Sequence, residues 1–306
     1  MRIVIPVTII VLIGLYLFFL PTPLSNFTDQ PLIFKLRIFR LLLGIYAGIT
    51  LATFGLFLQQ LLDNPLVEPY TLGIASGAAL GVAIGSIFGS NISTNILSFI
   101  GALSAAFLVL VIARLSSKRL KEGLILSGII ISFFASGIVF LLMIIKGREL
   151  HEILYLLMGY LGRVPTSSSY IHLLLSGLIS LAALLYIFFN TRALDIIASG
   201  YESAMGLGID PNRLLTTGFM IVSLGIGLLV AQVGVIGFIG LVVPHLARLL
   251  VGARSRGALV ASIFLGIGFI LSADLVSRSV ASFELPVGIV TSIFGAPFFV
   301  YLMVKR

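Results

Sequence analysis

The ionisable side chains that could do chemistry are few, and they stand at the edges of long apolar runs. Arg37 and Arg40 open one run in LRIFR, while Asp274 and Arg278 close another. The latter are four apart, one turn of a helix, so the carboxylate is expected to hold the arginine and lower its burial cost. His245 follows Pro244. A histidine invites proton relay or metal ligation, yet no second histidine or nearby carboxylate completes a site, and a lone histidine beside a helix proline is ordinarily structural. The chain has no cysteine, which removes disulfides, thiol catalysis and cysteine metal sites. It also lacks GxxxxGK(S/T) and HExxH, and its acids are too sparse for a catalytic dyad. No catalytic residue, metal ligand or cofactor is therefore assigned to this chain. What remains is non-covalent work, the docking of charges and the passage of a solute. For the latter, Ser132 and Ser136 share a helical face with Ile129, Val139 and Met143. That weakly polar face could line a path for a bulky solute or pack helices through hydroxyls; the residues alone leave both open.

The elements that must position these groups are membrane helices. Of 306 residues 59% are hydrophobic and 10% charged, too little polar surface for a water-soluble domain. The runs are continuously apolar, which excludes the alternation of a membrane barrel. Since a helical span needs about 20 apolar residues, the expected spans are 3–20, 38–61, 72–89, 95–114, 123–145, 168–189, 213–231, 235–251, 258–279 and 286–303, in one polytopic domain over 1–306. The first run has no small-residue cleavage site and is followed by Pro21 and Pro23, so it is read as an uncleaved span. Ten spans put both termini on one side. Placing them in the cytoplasm puts twelve of the 19 Lys and Arg residues inside and leaves Lys35, Arg37, Arg40, Lys146, Arg148, Arg163 and Arg278 outside. The net charge of +8 is scattered between apolar runs, which speaks for topology and lipid headgroups and against nucleic acid. Aligning Arg40 with Arg213 also aligns Gln59 with Gln232, a faint echo five spans apart that would relate inverted repeats. Residues 149–161, of mixed polarity, suggest a helix lying at the outer surface or dipping into it.

Four motifs break the runs. Asp63-Asn64-Pro65-Leu66-Val67-Glu68-Pro69 must turn the chain, and Gly73, Gly77 and Gly81 then form a small-residue stripe suited to close helix packing. Residues 234–248, GVIGFIGLVVPHLAR, carry Gly234, Gly237 and Gly240 at spacing three, and Pro244 must free a backbone carbonyl, while Arg248 can reach inner headgroups. Near the end, ELPVG with Pro286 is followed by GAPFF with Pro297, which demands a bend. Asn190 to Arg213 is the longest polar interruption. It breaks at Ala198-Ser199-Gly200 and Gly206-Leu207-Gly208, with room for one or two short surface helices, and Asp210-Pro211 reads as an N-cap with proline at the first helical position.

Together these motifs resemble the FecCD-type permeases, membrane subunits of importers for iron chelates, haem and cobalamin. NPLVEPYTLGIASGA is similar to their NPLA-P-LG-S-GA pattern, GVIGFIGLVVPHLAR to GxIGFIGLxxPHxxR, and the last stretch to ELPIG and GAPxF. The resemblance implies an all-α, BtuC-like type II ABC importer permease fold. It implies a homodimer, or a heterodimer with a sister permease, joined by two ATP-binding-cassette ATPase subunits that hold the ATP and Mg. A periplasmic or lipid-anchored binding protein would deliver the substrate. By the resemblance, Gly200, Glu202, Ala204, Gly206, Leu207 and Gly208 would couple to the ATPase through the loop 190–213. Arg37, Arg40 and Arg278 would dock acidic residues of the binding protein, against the plainer reading that they snorkel to lipid phosphate. Ser132, Ser136 and Met143 would face the translocation path, and Ser117, Lys118 and Arg119 would form the cytoplasmic gate. Asn64, Pro65, Pro69, Gly73, Gly77, Gly237, Gly240, Pro244, His245, Pro286 and Pro297 would be structural. The expected location is a prokaryotic cytoplasmic membrane. An iron(III)-siderophore is the commonest cargo in such a family, with haem, cobalamin and molybdate or tungstate as alternatives. The rival class is an ion-driven secondary transporter, which would want ionisable groups near the midplane.

Overall fold

Backbone groups in lipid must satisfy one another, and continuous apolar runs do so as helices. The computed structural model describes residue 14 and residues 31–87, 93–116, 120–146, 157–280 and 284–304, and among these the regular structure is helical throughout. In chain order the helices are α1 (Pro31–Leu62), α2 (Ile74–Ile87), α3 (Thr94–Leu115), α4 (Leu120–Lys146), α5 (Ser167–Phe189), α6 (Thr191–Ala198), α7 (Tyr201–Gly206), α8 (Pro211–Val233), α9 (Ile239–Val251), α10 (Ser255–Ser279) and α11 (Val287–Val304). Six of them, α1, α3, α4, α5, α8 and α10, are long and apolar enough to cross a membrane, while α2, α9 and α11 are shorter apolar helices. The protein is thus a multi-pass membrane protein. Nine expected spans fall on these nine helices; the tenth, 3–20, lies outside the described residues apart from residue 14, as does 149–156 of the expected outer segment. The described remainder of that segment turns inward: Tyr160 donates its backbone N–H to Val233 O (2.8 Å), Gly159 O accepts from Val287 N–H (2.9 Å), and Leu161 is fully buried.

Two departures from the expected spans share one cause. Residues 234–238 are not helical, and α9 begins only at Ile239; α2 likewise starts after an irregular, partly buried stretch. At 1.5 Å per residue, α2 and α9 reach about 20 Å, short of a hydrocarbon core of ~30 Å. Irregular backbone is tolerated at that depth only when protein covers it, and here each stretch covers the other. The order long, short, long helix occurs twice, in α1–α3 and in α8–α10. α1 ends three residues after Gln59 and α8 one residue after Gln232. The faint sequence echo therefore has a structural counterpart.

Glycines bring helix backbones together at two places in one continuous core. A Cβ on Gly48 of α1 would fall 2.6 Å from Gly266 O of α10, and one on Gly55 would fall 2.1 Å from Gly240 O of α9. At these crossings backbone touches backbone, so α1, α9 and α10 fit as a unit. On the other side Gly77 of α2 meets Gly101 and Ala105 of α3. Ser127 of α4 donates to Val109 O of α3 (3.0 Å) and also to Gly123 O in its own helix (2.6 Å), which makes it a packing residue.

Candidate functional site: charge clusters, coupling segment and crossed loops

At one end of the helices, where α10 finishes, Arg37, Arg40 and Arg278 are brought together, but none is a free surface cation. Arg40 and Arg278 have side chains 8% exposed, and Arg37 is 5% exposed. The Arg40 guanidinium donates through Nε and Nη2 to Asp274 (2.7 Å from Nη2 to Oδ1) and through Nη1 to both oxygens of Glu284 (2.9 Å). Asp274, fully buried, also holds Arg278 at 3.4 Å. The expected i,i+4 pair is present, but the tighter partner of Asp274 comes from 234 residues away. Glu284 stands in the segment leading into α11 and accepts from Tyr160 Oη (2.8 Å). Burial pushes its carboxyl up, but Arg40, the Tyr160 hydroxyl and Arg278 outweigh burial and leave it below its ordinary value. This cluster ties α1, α10, the start of α11 and the inward-turned segment into one charged knot.

At the opposite end, where α10 begins, the stretch 190–213 forms two short helices, α6 and α7, broken at Ser199-Gly200 as the sequence suggests. Asp210 caps α8, accepting from Asn212 N–H (3.0 Å) and Arg213 N–H (3.1 Å), with Pro211 first in the helix. α6 turns Thr191, Leu194 and Ile197 inward. Of the expected coupling residues, Glu202, Gly206, Leu207 and Gly208 are exposed and Gly200 is half-buried. Ala204 differs: it is fully buried and its carbonyl accepts from Ile209 N–H (3.0 Å), so it holds the segment together from within. The exposed Met205 joins Leu207 to form an apolar tip that the sequence reading missed. Lys121, at the start of α4, lies 4.2 Å over the Tyr201 ring of α7 and 3.8 Å from Asp63. Burial, then Asp63, pushes the Tyr201 phenol up to about 12, so the ring stays neutral under the ammonium. The expected gate residues Ser117, Lys118 and Arg119 lie outside the described residues.

Between these ends, the loop after α1 and the loop before α9 cross. Pro244 has no N–H to give Gly240 O, and Gln59 Nε2 donates to that carbonyl instead at 2.9 Å. Gln59 Oε1 in turn accepts from Arg248 Nη2 (2.5 Å), a partner within the protein that the sequence did not indicate. Glu68 Oε2 accepts the backbone N–H of Phe238 (3.0 Å), whose φ of 69° is left-handed. A carboxylate is thereby set at the N-terminus of α9, where the helix dipole favours it. Gly240 packs on Pro69 and Gly55, and Gly55 lies about 22 Å along α1 from Arg40. Glu68 therefore sits well inside the helix bundle; its partner is 170 residues away, so no local pattern marks it. Asn64 Oδ1 accepts Leu66 N–H (2.9 Å) to turn this loop. Pro69 is buried against α9, Gly73 meets Gly128 of α4, Gly77 meets α3, and Gly237 lies beside Glu68, whereas Pro65 is exposed. His245 is buried, and among the described residues no group of three His, Cys, Asp or Glu could hold a metal ion. Pro286 accepts from Ile289 N–H (3.1 Å) at the start of α11, and Pro297 lies on an exposed face inside it.

The expected path residues Ser132, Ser136 and Met143 are half-buried, and Met143 packs against the core. The exposed surface of α4 includes Ile130, Phe133, Phe134, Leu141 and Ile144, and α11 presents Ile293, Phe294, Val300 and Tyr301.

The family comparison agrees with this architecture. Residues 4–305 match the FecCD transport family. A probable iron chelatin transport permease of Helicobacter pylori is 34% identical over 90% of this chain and 82% of its own. The cobalamin import permease BtuC of Halobacterium salinarum is 34% identical over 91% of this chain and 75% of its own. A solved structure described as an inward-facing metal-chelate type ABC transporter superposes with a TM-score of 0.86 at 29% identity, covering 99% of this chain and 97% of that one. With the crossed loops, the short helix pair and the motifs in one order over nearly the whole length, the chain belongs to the FecCD transport family of ABC transporter permeases.

Proposed function

We propose that this chain is the membrane-spanning subunit of an ATP-driven importer that carries a metal chelate, foremost an iron(III)-siderophore, with haem and cobalamin in the same class, inward across a prokaryotic cytoplasmic membrane. Both termini face the cytoplasm. Two permease copies, or this chain and a sister permease, pair with two ATPase subunits, and a periplasmic or lipid-anchored protein delivers the cargo. The metal-chelate range of the relatives supports the cargo class, and the observation that carries the mechanism is the exposed α6–α7 segment with its apolar tip at Met205 and Leu207. ATP-driven closure of the ATPases moves that segment, the packed spans rock, and the cavity between paired α4 helices changes its opening. The arginine knot receives the acidic lobes of the binding protein by exchanging its exposed partner, Glu284, for theirs. ATP and Mg belong to the ATPase, and no residue here makes or breaks a covalent bond.

An ion-driven transporter would use a midplane carboxylate that trades protons or cations with water. Glu68 is the residue at that depth, but it is engaged with the start of α9. The test is uptake into liposomes holding the permease, its ATPase and its binding protein. Import is expected to require ATP and to fail in Glu202→Lys while binding-protein affinity persists; ATP-independent import driven by a proton gradient overturns the reading.

A further inference from the structure

We infer that Asp195 is the joint that fastens the coupling segment to α10, making α10 the strut that carries the stroke between the cytoplasmic face and the outer arginine knot. The inference rests on the coupling role proposed for residues 190–213.

The joint is a helix cap supplied by another helix. α10 begins at Ser255, and its N-cap residue Arg254 makes no side-chain capping bond. Asp195, on α6, fills that place: its Oδ1 accepts Ser255 N–H at 2.8 Å and Ser255 Oγ–H at 2.5 Å. A carboxylate on an unsatisfied N–H at a helix start gains from both the hydrogen bond and the dipole. Ser255 is 1% exposed, so water does not compete for the contact. Arg256, one residue on, stacks 4.8 Å over the Phe188 ring at the end of α5, which keeps the start of α10 against the base of the same segment.

From this joint α10 runs 25 residues, about 37 Å. It has no slack against α1, because the backbones touch at Gly48 and Gly266. Its far end carries Asp274, the residue that holds both Arg40 and Arg278. Arg40 passes the connection to Glu284 ahead of α11. A shift of α6 must therefore move α10 and the knot together, and a change at the knot must reach α6 by the same route. Asp195 touches neither cargo nor nucleotide, so it is a positioning residue.

The test uses the complete transporter in liposomes, with the ratio of uptake to ATP hydrolysis and the stimulation of hydrolysis by the binding protein as readouts. Asp195→Ala is expected to lower both about tenfold, the scale of one hydrogen bond to a charged group lost from one state of the cycle. Asp195→Asn keeps an oxygen acceptor and is an equally good cap, so it should stay within about twofold of the parent. Glu202→Lys, exposed on α7 rather than α6, serves as reference for the coupling role itself. If Asp195→Ala keeps its coupling while Glu202→Lys loses it, the joint is overturned and the coupling segment stands. If both keep it, the coupling role falls as well. Equal losses in Asp195→Ala and Asp195→Asn also overturn the cap. Because the chain has no cysteine, a double Asp195→Cys, Ser255→Cys variant gives a fold-independent check. Joining the two thiols with a short cross-linker should restore coupling that the free-thiol protein lacks, and failure to restore it counts against the joint.

Discussion

Replacing Asp274 by Asn keeps the side-chain volume and one oxygen but removes the charge shared by two buried arginines. Asp274 is fully buried and the Arg40 and Arg278 side chains are each 8% exposed. Taking one partner from a buried ion pair costs about 3–5 kcal/mol, because the other charge stays behind without compensation. Arg40 keeps Glu284, so the lower end, about 3 kcal/mol, is the expected loss. With roughly 2 °C per kcal/mol for a chain of this size, the melting temperature should fall by about 6 °C. Glu284→Gln removes a carboxylate whose side chain is 43% exposed, and water replaces much of what it gave, so the loss should be under about 1 kcal/mol and 2 °C. The chain contains neither tryptophan nor cysteine, which silences indole fluorescence and thiol dyes. Far-ultraviolet circular dichroism of the detergent-solubilised protein is the assay to use. A drop in Asp274→Asn no larger than that in Glu284→Gln would refute the claim that Asp274 is the keystone of the arginine knot.

Three further outcomes are expected. Since the Glu284 carboxyl lies below its ordinary value of 4.5, its contribution is complete above that pH and is lost as pH falls through the lowered value; Glu284→Gln should therefore flatten the acid limb of a melting-temperature profile, and an unchanged limb would speak against it. Gln59→Leu should cost about 2–3 kcal/mol by orphaning Gly240 O and the Arg248 contact, and adding Pro244→Ala should recover part of it by giving Gly240 O a backbone donor; no recovery would contradict the role of Gln59. Glu68→Ala should lose about 1–3 kcal/mol by leaving the Phe238 N–H unpaired, with Glu68→Gln milder; an unchanged melting temperature for Glu68→Ala would remove the crossing of the two loops as a stabilising contact.

What could be read from the sequence was local. Nine described spans were visible because long apolar runs leave the backbone no alternative to helix, and Asp210-Pro211 announced the start of α8 because a cap and its helix are neighbours in sequence. The unwound stretch 235–238 was read as span because Val235, Ile236 and Phe238 are as apolar as any helix residue; only the loop packed against it allows non-helical backbone there. The burial of Arg40 could not be read, since its strongest partner, Asp274, is 234 positions away. Glu68 looked like a turn residue for the same reason. Pro244 did predict a freed carbonyl, but not that Gln59, 181 residues before Gly240, would satisfy it. Asp195 carried no signal, because the helix it caps is not its own.

The central claim is that this permease works as one part of an ATP-driven assembly. Gentle purification of the tagged chain from its native membranes, followed by native mass spectrometry of the intact complex, tests it most directly. The account predicts two permease chains with two P-loop ATPase chains, and a binding protein that joins in the presence of its chelate. A chain that purifies without an ATPase and imports its substrate into liposomes without ATP would contradict it.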